Sequence, residues 1–165
     1  MHSPKIPWWQ RLIQRLALID VISSRFLSNY LHRIDTTVLN ITQGRKNLST
    51  MLSGLPVVVV STTGARSGKI RTVPLGGIPD GEKIILIASW FGNPRYPAWY
   101  YNLRANPEVT ISKNGESRKY ISRLVQGEER QNCWQLAVQY YPGYQSYAQR
   151  TAGREIPVFV LEPAV

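Results

Sequence analysis

Six side chains able to hold an anion fall within ten residues of this sequence: Thr62, Thr63, Arg66, Ser67, Lys69 and Arg71 in STTGARSGKIR, with Gly64 and Gly68 bracketing the middle. Guanidinium groups, hydroxyls and the backbone N–H groups of a tight turn together make charge-assisted contacts to phosphate or carboxylate. A solvated basic hairpin tip is built from the same residue types, and the turn alone does not separate the two readings. A second cluster lies in YYPGYQSY, Tyr140 to Tyr147, where Tyr141, Tyr144 and Tyr147 recur every third residue. That spacing puts successive rings on one side, where they exclude water and present hydroxyls that orient a polar group or supply a proton.

Other chemistries lack their parts. Cys133 is the one cysteine and His2 and His32 are the two histidines, so one chain assembles neither a disulfide framework nor a Cys/His metal cluster. Cys133 sits beside Trp134 and Leu136 with no histidine nearby in sequence, where a buried structural thiol is expected, and the same distance from any histidine argues against a Ser-His-Asp hydrolase. Single-cysteine usage fits a reducing cytoplasm. With 20 Lys and Arg against 10 Asp and Glu among 165 residues, the chain carries +10 and calls for an acidic partner. The excess is shared about equally by residues 1–54 and 55–165, without a dense basic tract. A nucleic-acid-binding barrel would interleave aromatic and basic residues on one sheet face, and Val57 to Val60 and Ile84 to Ile87 do not, so no nucleic acid is expected.

The elements that must position these groups follow from hydrophobic period. Residues 1–54 read as an amphipathic helical extension and linker, with Trp9, Leu12, Ile13, Leu16 and Ile19 on one stripe and a break near Asp20 to Ser24. Trp8 and Trp9 beside Arg11 and Arg15 suit a helix lying on an anionic membrane surface, and equally one packed on its own domain or a second subunit. The longest apolar run there, Leu16 to Ile19, is far too short to span a membrane. Residues 55–165 form one domain. Val57 to Val60 reads as a strand buried on both faces, Ile70 to Leu75 as its hairpin partner with Pro74 limiting it to an edge or strand-end position, and Lys83 to Ser89 as a third strand after a turn from Ile78 to Gly81 with Asp80-Gly81 at its tip. A helix is expected from Pro97 to Ala105, a hairpin around Asn114-Gly115 between Val109 to Ser112 and Lys119 to Val125, a helix from Glu128 to Gln139, and a closing strand from Ile156 to Leu161. Antiparallel strands with helices between them predict a mainly β fold of six or seven strands, a small barrel with helical additions, and exclude a βαβ layout.

From Leu55 to Pro163 the chain resembles the deazaflavin-dependent nitroreductases of the split β-barrel flavin-binding superfamily. The resemblance rests on Ser61 to Leu75, the Ser89 segment, PAWYYNLRANPEV from Pro97 to Val109, Tyr140 to Tyr147 and REIPVFVLEP from Arg154 to Pro163, five stretches in matching order. It implies a split β-barrel oxidoreductase that uses coenzyme F420, a deazaflavin with a phosphate and an oligoglutamate tail, to reduce a quinone, enone or nitro compound. FMN, FAD or haem is the alternative in the same barrel, and sequestration without turnover the alternative to catalysis. Carried over by position, Arg66, Ser67 and Arg71 hold the tail, with Thr62, Thr63, Gly64, Gly68 and Pro74 around them. Ala88 and Ser89 approach the ring, Trp99 and Asn102 flank the cofactor, and Ser89, Tyr141, Tyr144 and Tyr147 face the acceptor. Trp99 and Leu103 are also what an ordinary core would use. Two departures stand out: many family members have lysine and glycine where this chain has Trp90-Phe91-Gly92, and a second basic residue where it has Ala65. Arg95 is a candidate substitute for the missing charge. The expected assembly is a monomer or homodimer, in the cytoplasm or peripheral at the inner membrane face.

Overall fold

The structure is a computed structural model that describes residues 55–164. The expected helices, loop and membrane-facing stripe of residues 1–54 lie outside the described residues. Six antiparallel strands close a barrel in the order β1-β2-β3-β6-β5-β4, and three helices decorate it. The strands are β1 (Val57–Thr63), β2 (Ile70–Asp80), β3 (Lys83–Ile87), β4 (Glu108–Lys113), β5 (Glu116–Val125) and β6 (Val158–Pro163). The helices are α1 (Ala98–Ala105), α2 (Gly127–Tyr140) and α3 (Gly143–Arg150). The mainly β architecture is the one expected.

Strand β1 differs from the reading of a strand buried on both faces. Its burial alternates, with Val58, Val60 and Thr62 inward and Val57, Val59 and Ser61 only half-buried, because the barrel covers one face alone. The fully buried run is β6 instead. There Phe159 and Leu161 enter the cluster that fills the barrel with Val58, Val60, Trp99 and Leu103. Val158 and Val160 enter a second cluster beneath α2 and α3, with Ile85, Cys133, Ala137 and Tyr144. Cys133 is the buried thiol expected, its pKa raised by burial.

Strand β2 is longer than read and changes partner midway. Residues 70–76 pair with β1, with Pro74 opposite Val59, whereas pairing with β3 begins only at Gly77 opposite Leu86. The Ile78 to Gly81 stretch expected as a turn is therefore mostly strand, and the reversal is confined to Gly81 and Glu82. Pro74 has no N–H to give and sits where β3 does not pair, consistent with the edge placement. The half of β2 that does not pair with β3 leaves a split between itself and the end of β3. Strand β3 stops at Ile87, so Ser89 heads a turn rather than ending a strand. The Asn114-Gly115 hairpin joins β4 to β5 with Lys113 opposite Glu116, as its sequence predicts.

Helix α1 starts after Pro97 and packs Trp99 and Leu103 into the barrel, where Trp99 meets Phe159 edge-on at 6.0 Å between ring centroids. Tyr100 meets the same ring at 5.8 Å. Phe159 is 1% exposed and joins α1 to β6. Phe159→Ala is expected to cost about 3–5 kcal/mol of stability, the range for a large aromatic truncated in a closed core. Denaturant unfolding measures it, with a change under 1 kcal/mol, roughly the cost of an exposed substitution, contradicting that account.

Candidate functional site

The basic turn between β1 and β2 is tied down by an amide. Asn102 on α1, itself buried, donates from Nδ2 to Thr62 Oγ1 at 3.0 Å and accepts at Oδ1 from the Ala65 backbone N–H at 3.0 Å. Thr62 Oγ1 in turn donates to the Arg71 carbonyl at 3.3 Å, and Asn106 Nδ2 donates to the Thr63 carbonyl at 3.2 Å. Within the turn, the Gly64 N–H reaches the Lys69 carbonyl and the Gly68 N–H the Gly64 carbonyl, both at 2.9 Å. Gly64 has no room for a side chain, since a Cβ there would lie 2.6 Å from Ser67 Oγ and 3.1 Å from the Lys69 carbonyl. Gly68 supplies the left-handed residue of the turn at φ +64°.

This turn borders a cavity of about 1470 Å³ that follows the split beside β2. Arg66, Arg71, Arg95 and Arg104 line it, and no acidic side chain does among the described residues. The guanidinium groups of Arg66, Arg71 and Arg95 make no hydrogen bond or ion pair within the described residues. Unpaired cations around an open cavity attract a multiply charged anion at little desolvation cost. The volume exceeds the roughly 300–1,000 Å³ of an ordinary small-molecule pocket, leaving room for two ligands side by side. These residues fit a cofactor with a phosphate and several carboxylates, and Arg95 and Ala65 line the same cavity.

Of the sequence-derived candidates, Thr62, Gly64, Arg66, Ser67, Arg71, Pro74, Ser89, Trp99, Asn102, Tyr141, Tyr144 and Tyr147 all line this cavity. Thr63, Gly68 and Ala88 do not line it: Thr63 and Gly68 shape the turn through their backbone, and Ala88 is fully buried beneath the cavity floor. Ser89 is buried, and its hydroxyl has no hydrogen-bond partner within the described residues. Trp99 serves both core and cavity wall. Tyr140 packs against the core instead.

The three tyrosines form one group, with the Tyr144 hydroxyl beside Gly76, five residues along β2 from Arg71. Ring centroids lie 5.4 Å apart for Tyr141 and Tyr144, 6.0 Å for Tyr141 and Tyr147, and 6.2 Å for Tyr144 and Tyr147. The Tyr141 and Tyr147 hydroxyls share a hydrogen bond of 3.1 Å. Pro142 ends α2 and starts α3, so Tyr141 lies in the break and the other two on α3. Burial, and next the neighbouring Tyr141 hydroxyl, push the Tyr144 and Tyr147 phenols well above their ordinary value. They stay neutral donors at any physiological pH.

Sequence reasoning passed over several members of this site. Trp90, Phe91, Tyr96, Tyr101 and Arg104 line the cavity, and Arg104 lies in the segment that carries the resemblance, where its charge was the available signal. Arg154 opens the last stretch of the resemblance, but nothing local in the sequence tells that its side chain reaches residues 89–93. It donates from Nη2 to the Asn93 carbonyl at 2.8 Å and the Ser89 carbonyl at 3.4 Å, and its guanidinium lies 4.7 Å from the Tyr96 ring centroid.

Known proteins are similar to this chain in sequence and fold. A family model described as F420H(2)-dependent quinone reductase matches residues 31–163. An F420H(2)-dependent quinone reductase of Mycobacterium tuberculosis is 36% identical over 109 residues, 64% of this chain and 72% of the relative. A solved F420-H2 dependent reductase, FDR-A, is 42% identical with a TM-score of 0.60, covering 65% of this chain and 94% of that one. Another solved chain, described as a domain-swapped dimer, is 37% identical with a TM-score of 0.63, covering 79% and 96%. Fold, basic turn and family match together decide between the cofactors left open by the sequence: the chain belongs to the F420H2-dependent quinone reductase family, a group of oxidoreductases whose cofactor is coenzyme F420.

Proposed function

We propose that Arg66, Ser67 and Arg71, with Arg95 beside them, hold the phosphate and acidic tail of F420, and that Ser89 and the three tyrosines receive a quinone. The observation that carries this reading is a single cavity lined both by Arg66, Arg71 and Arg95, whose guanidinium groups have no partner among the described residues, and by the three clustered tyrosines. When bound, the reduced cofactor supplies a hydride. The chain supplies the rest: charge to seat the tail, a wall of rings to exclude water, and neutral hydroxyls to hydrogen-bond the oxygen on which negative charge develops. With their pKa values raised, Tyr144 and Tyr147 act as donors that orient and stabilise the acceptor rather than as phenolates. Asn102 acts through the turn: its amide holds the backbone that aims Arg66 and Ser67.

Arg66→Ala and Arg71→Ala are each expected to weaken F420 binding by roughly 1.5–3 kcal/mol, the scale of a hydrogen bond to a charged group, while leaving thermal stability unchanged. Asn102→Ala should weaken binding and also lower stability by about 1–3 kcal/mol, because Thr62 and the Ala65 N–H lose a buried partner. Fluorescence titration beside thermal unfolding separates the two, and unchanged affinity in both arginine variants would make the turn purely structural.

Tyr147→Phe and Ser89→Ala are expected to slow reoxidation of bound reduced F420 by a quinone with little change in cofactor affinity, as read by stopped flow. In the wild-type protein the rate should show no phenol-like titration up to about pH 10, since burial raises these phenols above their usual pKa. Rates equal in wild type and both variants would remove these groups from the reaction.

For residues 1–34, the sequence supports peripheral attachment to an anionic membrane surface, where a lipid-soluble quinone is found. Among the described residues no helix is long and apolar enough to cross a membrane. Each basic residue near an anionic surface contributes about 1 kcal/mol, so binding should be reversible and weaken with salt. Co-sedimentation with anionic vesicles at low and high salt checks it, and a chain that stays in the supernatant at low salt rejects it.

A further inference from the structure

We infer that Trp90 and Phe91 select the acceptor, forming an apolar lip that takes the alkyl or prenyl substituent of a quinone whose ring lies among the tyrosines. The inference rests on the quinone-acceptor reading above. Both residues occupy left-handed backbone, Trp90 at φ 43° and Phe91 at φ 56°, followed by Gly92 at φ 80°. Bulky side chains rarely adopt that conformation, and strain of this kind persists where the surroundings impose it for function. Their rings gain little from it in the folded chain, since Trp90 is 40% and Phe91 55% exposed.

The turn is nevertheless held firmly. The Gly92 N–H reaches the Ser89 carbonyl and the Asn93 N–H the Trp90 carbonyl, each at 3.0 Å, and Arg154 grips the Ser89 and Asn93 carbonyls from the other side. Gly92 presses onto α3, where a Cβ would lie 2.7 Å from Arg150 Cβ and 3.0 Å from the Tyr147 carbonyl. Phe91 meets Tyr147 edge-on at 5.8 Å between centroids. A rigid turn thus holds two exposed apolar rings on the wall of the cavity, one of them against Tyr147. The two exposed rings offer apolar area at the cavity, and burying apolar area on a substrate is how a hydrophobic site discriminates.

The test compares 2-methyl-1,4-naphthoquinone with its 3-geranyl derivative as acceptors for bound reduced F420. In Trp90→Ala and Phe91→Gly the preference for the geranyl compound, as a ratio of kcat/KM values, should fall about fivefold or more. Glycine is at ease at φ 56°, so Phe91→Gly should unfold at the same temperature as wild type or higher while losing selectivity, which a merely structural residue would not do. Quenching of intrinsic fluorescence measures binding of each quinone without turnover. Tighter wild-type binding of the geranyl compound, lost in the variants, supports the lip even if neither quinone is reduced, an outcome that would instead overturn the quinone-reductase reading. A ratio and a binding difference both unchanged within about twofold overturn the inference. So does a wild-type dimer that both variants convert to monomer, which would assign the two rings to a second copy of the chain.

Discussion

The side-chain amide of Asn102 is the joint on which the site depends. It lies on α1, yet both of its hydrogen bonds go to the chain leaving β1, to Thr62 Oγ1 and the Ala65 N–H, each at 3.0 Å. A buried amide with both ends satisfied is rigid, because either bond broken in a low-dielectric interior leaves an unpaired polar group. Through this one residue the packing of α1 against Phe159 in the barrel core is transmitted to the turn that bears Arg66 and Ser67. A mobile basic loop thereby becomes an oriented one.

The second constraint is the partner change along β2. Its first half pairs with β1 and its second with β3, so the barrel is closed by hydrogen bonds and still split beside Pro74. The cavity follows that split. Backbone groups at the split face the cavity, and Pro74, lacking an N–H, reduces the number that must find partners there. Arg66 and Arg71 stand where exposure spares them desolvation, and Tyr144 and Tyr147 where burial keeps their phenols neutral. The site separates a place for charge from a dry place for a planar, electron-poor molecule.

A third layer of order comes from Arg154, whose guanidinium joins two carbonyls of the 89–93 segment and stacks on Tyr96. Its Nε is buried without a hydrogen-bond partner, a cost offset by the two charge-assisted bonds its Nη2 makes. The exposed network of Lys83, Glu162, Arg123 and Glu129 fastens β3, β6, β5 and α2 in a different way. Pairs this accessible contribute little individually, so the barrel owes its stability to the two apolar clusters on either face of β6.

Features set by neighbours in the chain were legible in the sequence: the Asn114-Gly115 reversal, the Pro97 helix start, the Gly64 to Gly68 turn with its arginines, and tyrosines at three-residue spacing. Each follows from local backbone preference or side-chain period, which are properties of short segments. The length of β2, the one-sided burial of β1, the left-handed turn at Trp90-Phe91 and the reach of Arg154 to Asn93 were decided only in the tertiary structure. Pairing partners chosen across the barrel extended β2 through an apparent turn, and one covered face left half of the Val57 to Val60 run facing outward. The left-handed turn runs against the local preference of two bulky residues and exists because α3 and Arg154 hold it. Local chemistry thus determined which groups would act, and long-range packing determined where they meet.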